Sequence, residues 1–164
     1  MNVGLSGHYG KMEYTNLAGK DDSYVSHSLN VHASYSFSSA LLMKGEFFTG
    51  KTLNQYLGGI GQGFDFVHEK EVESTGGWLN ATLVPNKSTS FNVGFGIDQP
   101  KKENTVSFDR KKNMCIFGNV YTKIAQNTTL ALEITRWTTG YKNTDGKDID
   151  KSDVRIQTSL ILNL

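Results

Sequence analysis

The stretch that decides the fold is Val25-Ser26-His27-Ser28-Leu29-Asn30-Val31-His32-Ala33-Ser34-Tyr35-Ser36-Phe37. Val25, His27, Leu29, Val31, Ala33, Tyr35 and Phe37 hold the odd positions, and every residue between them is polar. Side chains of a β-strand alternate between faces, so this run carries an apolar stripe and a polar stripe back to back. Its length, 25–37, exceeds the roughly five or six residues usual for a globular strand. A tilted strand crossing a bilayer takes about 9–11 residues. The run reads as such a strand with an extension beyond the membrane.

Outward from it, the same alternation recurs along the whole chain. Leu41, Met43, Gly45 and Phe47 alternate with Leu42, Lys44, Glu46 and Phe48; Phe91, Val93, Phe95 and Ile97 alternate with Ser90, Asn92, Gly94, Gly96 and Asp98. At the end, Val154, Ile156, Leu160, Leu162 and Leu164 face Arg155, Gln157, Ser159 and Asn163. The pattern predicts eight strands in one domain spanning 1–164, near 2–10, 23–37, 40–50, 74–84, 88–98, 113–124, 128–138 and 153–164. No segment of helical period competes.

The connections carry an independent signal. Ser38-Ser39, Pro85-Asn86-Lys87 and Ala125-Gln126-Asn127 are short, whereas 11–22, 51–73, 99–112 and 139–152 are long and polar. Alternation of short turn and long loop is the habit of outer-membrane barrels, with turns periplasmic and loops extracellular. An even strand count puts both termini on the periplasmic side. The fold class expected is all-β: a closed antiparallel up-and-down transmembrane β-barrel of eight strands in a bacterial outer membrane. Closure is expected because hydrocarbon offers no partner to a backbone N–H or C=O.

Composition agrees by exclusion. Only 37% of residues are hydrophobic, and no stretch reaches the roughly 18 apolar residues of a membrane-spanning helix. The net charge of +1 offers no basic face to nucleic acid. The lone Cys115 excludes an internal disulfide framework. The opening MNVGLSGHYG lacks a secretory signal, which for an exported protein implies a mature form or a fragment.

Alternation also assigns the faces. Lys44, Glu46, Asn80, Asn92, Asp98, Asn119, Tyr121, Lys123, Glu133, Arg155 and Gln157 fall on polar stripes and are expected to face the lumen. A Lys or Arg at the bilayer midplane would cost about 2–4 kcal/mol. Closed on itself, an eight-stranded barrel has an interior that side chains just fill, so these residues would form a non-conducting plug and function would pass to the loops. In a wider barrel the same residues line a pore and tune selectivity. The inverse arrangement is a soluble barrel that binds small ligands; strand length, turn–loop alternation and the apolar final strand favour the membrane. Tyr35, Phe37 and Phe91 on the turn side, with Tyr9, Trp137 and Tyr141 on the loop side, are the expected interfacial aromatics. The loop from Leu53 to Phe66, Gly-rich with two apolar clusters, could fold inward and constrict the channel of a wide barrel but is expected as an ordered extracellular loop on a small one.

Several strings resemble a known family. Lys44-Gly45-Glu46-Phe47-Phe48-Thr49-Gly50, followed by Tyr56-Leu57-Gly58-Gly59-Ile60-Gly61-Gln62-Gly63, is similar to the C-terminal half of large bacterial outer-membrane porins. So are Gly76-Gly77-Trp78, Gly94-Phe95-Gly96-Ile97-Asp98, Ile116-Phe117-Gly118-Asn119-Val120, Glu133-Ile134-Thr135-Arg136-Trp137 and Arg155-Ile156-Gln157-Thr158-Ser159-Leu160, in order along the chain. The resemblance implies passive passage of small polar or anionic solutes, homo-oligomers, outer-membrane lipids as surroundings, and assembly machinery that reads the C-terminal strand. The usual last residue there is Phe, and Leu164 departs from it.

Catalytic chemistry finds little footing. His8, His27, His32 and His68 bring no nucleophile elbow and no zinc spacing, although His68 lies beside Glu69, Glu71 and Glu73. The expectation is no enzyme, no metal and no cofactor, with Cys115 an inward-facing inert thiol.

Overall fold

The computed structural model describes residues 1–15, 18–65, 68–101, 110–143 and 148–163. Its dominant feature is one antiparallel sheet of eight long strands. They are β1 (Asn2–Thr15), β2 (Asp21–Ser36), β3 (Leu41–Lys51), β6 (Glu73–Asn86), β7 (Thr89–Pro100), β8 (Arg110–Ala125), β9 (Thr128–Tyr141) and β10 (Ile149–Leu162). Between β3 and β6 the chain makes 3-10 turns at Leu53–Tyr56 and Gly59–Gly61, then a ribbon of β4 (Phe64–Asp65) and β5 (Lys70–Glu71). The described residues therefore form ten strands in two sheets, not eight in one. No helix is long and apolar enough to cross a membrane, which says nothing about crossing by strands.

The long strands pair in chain order as a meander. Local polar chemistry makes the turns. Ser38 Oγ accepts from the N–H groups of Ala40 and Leu41, both at 3.1 Å, and Asn86 Oδ1 accepts from Ser88 and Thr89, both at 2.9 Å. Side chains of this kind stand in for backbone turn bonds. Pro85 lies inside β6 rather than in the turn, at a register shift between Leu83 and Asn86, where its missing N–H breaks no regular ladder. Toward the long loops the strands outrun the expected bounds: β1 and β2 stay paired up to Thr15 opposite Asp21. Lys11, Glu13 and Ser23 are paired there beyond the apolar band, so most of 11–22 is strand.

Closure is the main correction. Among the described residues β1 pairs only with β2 and β10 only with β9, so the sheet is open and the closed eight-stranded barrel, with its plugged interior, does not form. The connection between β3 and β6 packs against the polar face of the sheet. An eight-stranded barrel has interior room for side chains alone, so that face already carries more than such a barrel would hold.

Register gives the sheet two coherent faces. Leu5 pairs with Val31, Val31 with Phe47, Leu79 with Phe95, Phe95 with Ile116, Gly118 with Ile134 and Ile134 with Ile156, forming an apolar surface across all eight strands. These side chains stay exposed, Leu5 at 71% and Ile156 at 70%. The buried apolar side chains among the described residues are Leu53, Val72 and Ala131, and two of those three belong to the folded-in connection.

Candidate functional site

The opposite face carries the chemistry. The ladder sets Lys44 against Ser34 and Asn80, Glu46 against His32 and Trp78, and Asp98 against Gly76 and Asn113. It sets Asn92 against Asn119, Tyr121 against Ala131, Lys123 against Thr129, Glu133 against Asn119 and Gln157, and Arg155 against Thr135. Partners in an antiparallel ladder share a face, so all the residues read as inward lie together. Five strands are tied by one side-chain chain. Asn80 Nδ2 donates to Thr82 Oγ1 at 3.0 Å, Thr82 to Asn92 Oδ1 at 2.6 Å, Asn92 Nδ2 to Asn119 Oδ1 at 2.8 Å, and Asn119 Nδ2 to Glu133 Oε2 at 3.1 Å. Arg155 closes it with an ion pair to Glu133 at 3.8 Å. The side chains of Glu46 and Lys44, by contrast, make no hydrogen bond or ion pair among the described residues.

Above this face lies the connection 52–72, and its position corrects the expectation of a purely extracellular loop. Described over 52–65 and 68–72 (Phe66, where the expected loop ends, falls outside the described residues), it is fastened at both ends and in the middle. Thr52 anchors its start: its N–H donates to Val72 O at 3.0 Å, its Oγ1 to Val25 O at 3.1 Å, and its carbonyl accepts from Ser26 Oγ at 3.1 Å. Those bonds hold a β-branched residue at φ 55, a left-handed backbone that such residues avoid. In the middle, Ile60 N–H donates to Asp98 Oδ2 at 3.0 Å, while Ser74 Oγ donates to Asp98 Oδ1 at 2.7 Å. Gln62 and Arg110 exchange two bonds, at 2.7 and 2.9 Å. At the far end Phe64 stacks on Tyr24, ring centroids 4.4 Å apart, and leans on Tyr14 at 4.9 Å.

Beneath the loop is a cavity of about 470 Å³, lined from the sheet by His8, Glu46, Phe48, Trp78 and Asp98 and from the loop by Tyr56. His8 sits between two serines, Nδ1 2.8 Å from Ser28 Oγ and Nε2 2.9 Å from Ser26 Oγ, with its ring 4.1 Å from that of Tyr56. Ser26 spends its hydroxyl proton on Thr52 O, so at Nε2 it accepts from the imidazole N–H.

An exposed apolar face, a polar face bridged by hydrogen bonds, and a loop folded over that polar face make up the candidate site. A solved structure shares the fold. The outer-membrane channel DcaP of Acinetobacter baumannii superposes with a TM-score of 0.69 at 12% sequence identity, over 95% of this chain and 52% of that one. The fold is porin-like. This chain spans about half the length of that channel. No family model matches the chain, and no curated protein sequence does.

The aromatics divide. Tyr9, Tyr35 and Phe91 lie on the apolar face, opposite His27, Met43 and Leu83, and Phe37 meets Tyr35 edge-on at 4.7 Å by the first short turn. Trp137 and Tyr141 lie on the polar face, opposite Cys115 and Arg110. His32 shares the polar face and His27 the apolar one, as alternation assigns them. Cys115 is a free, half-buried thiol on the polar face opposite Gly96. His68 contacts Asp65 at 2.6 Å, and no metal-holding group of His, Cys, Asp or Glu occurs among the described residues. The terminal Leu164 lies outside the described residues.

Sequence reasoning missed the anchors Ser26, Thr52, Ser74 and the Ile60 amide. One signal was readable: Leu53, Leu57 and Ile60 amid four glycines suit a loop with a surface to pack on better than one in water.

Proposed function

We propose that the chain forms a sector of the wall of an outer-membrane diffusion channel through which small polar solutes pass. The observation that carries this reading is the opposition of the two faces, with a tethered loop on the polar one alone. In water the apolar face would be an exposed patch spanning eight strands, far beyond what a soluble monomer shows. Against acyl chains it is solvated, and the lipid contacts are Leu5, Val31, Phe47, Phe95, Ile134 and Ile156. The polar face then borders water, and the loop narrows the passage. The edges β1 and β10 require further antiparallel strands, since unpaired strand edges are inadmissible in hydrocarbon. A complement as large as this sheet makes a barrel of the class that leaves an aqueous channel. The resemblance of its strings favours the C-terminal half of such a barrel and an outer-membrane location.

Insertion into planar lipid bilayers of the completed barrel, this sector together with the strands that pair with β1 and β10, tests the reading. Discrete, ohmic conductance steps are expected. Silence from protein that shows heat-modifiable migration, or an unstructured leak, contradicts it.

A further inference from the structure

The cavity under the loop has a charge character of its own. Its lining includes the carboxylates of Glu46 and Asp98 and no Lys or Arg. The two acids differ. Asp98 is committed to Ile60 N–H and Ser74 Oγ, whereas the side chain of Glu46 makes no hydrogen bond or ion pair among the described residues. Lys44, two positions along the same face, lines none of this cavity. Glu46 is the direct cross-strand partner of Trp78, and cross-strand partners stand about 4.5–5.5 Å apart at Cβ. An uncommitted carboxylate thus stands beside an indole in a half-roofed cavity, with the rings of Phe48 and Tyr56 as further walls. Aromatic faces attract cations, more strongly when water is partly excluded.

We propose that this cavity is a binding subsite for compact organic cations of the alkylammonium or guanidinium class, with Glu46 as counter-ion and Trp78 as platform. The inference rests on the channel reading only in that the polar face must be wetted. It adds a cationic class to the small polar or anionic solutes that the family resemblance implies.

Trp78 reports on its own occupancy. In a Trp137→Phe background it is the sole indole, because the chain has two tryptophans. Detergent-refolded protein titrated with millimolar methylguanidinium is expected to show a saturable change in Trp78 emission, with no response to succinate. Glu46→Gln is expected to weaken the apparent affinity about tenfold, the scale of one charge-assisted contact, while Lys123→Gln leaves it unchanged. If Trp137→Phe fails to refold, the difference in emission between wild type and Trp78→Phe reads the same titration. A folded protein with no saturable response, a response indifferent to Glu46→Gln, or saturation by succinate overturns the proposal. Conductance fails separately: a silent bilayer with intact cation titration sinks the channel reading and leaves the subsite standing.

Discussion

The backbone N–H of Ile60, in the connection after β3, donates to the carboxylate of Asp98 on β7 across 3.0 Å, and Ser74 Oγ donates to the same carboxylate from β6. Two donors on one anion make Asp98 the pin that holds the loop to the polar face. Hydrogen bonds to a charged group contribute about 1.5–3 kcal/mol each. Asp98→Ala is therefore expected to loosen the loop by about 2–4 kcal/mol while the sheet stays folded, since Asp98 is one residue in a ladder of many. Limited proteolysis within residues 53–65 should accelerate, and heat-modifiable migration should persist.

Thr52 offers a second test of the same tether. Its left-handed backbone, at φ 55, is tolerated because side chain and backbone are all bonded. Thr52→Ala removes the bond to Val25 O and is expected to cost about 1–2 kcal/mol of local stability. Hydrogen exchange at the Thr52 amide, bonded to Val72 O, should speed up, while exchange in β8 and β9 stays unchanged.

The two faces should differ sharply in their tolerance of charge. Ile134 is exposed on the apolar face between Gly118 and Ile156, near the middle of β9. Ile134→Lys is expected to destabilise the membrane-inserted state by about 2–4 kcal/mol. Its neighbour Glu133, on the other face, accepts from Asn119 and Thr135 and pairs with Arg155; Glu133→Gln keeps one acceptor oxygen and should cost less, about 1 kcal/mol. The folded fraction in lipid, read by heat-modifiable migration across a urea series, separates the two.

Much of this was legible in the residues before any coordinates. Period-two alternation yields the eight long strands and the face of every charged residue assigned to the lumen, because a one-residue slip in register would invert the whole pattern. Closure was not legible. Whether β1 meets β10 depends on strand number and on the tilt and stagger of the whole sheet, which no single strand's pattern encodes. The loop's position depends on a backbone N–H at Ile60 finding a carboxylate on β7, a long-range match that no local pattern encodes. Trp137 shows another limit. Its ring suits an interfacial girdle, yet strand parity puts it on the polar face opposite Cys115.

The central claim is that one face of the sheet meets lipid and the other water. It is tested most directly by a single-cysteine scan of β9 from Thr128 to Tyr141 in a Cys115→Ser background, in lipid vesicles, with a membrane-impermeant thiol reagent. Cysteines at 129, 133, 137 and 139 are expected to react, and those at 130, 132 and 134 to be protected. Uniform reactivity along the strand, or protection of 129, 133, 137 and 139, would contradict it.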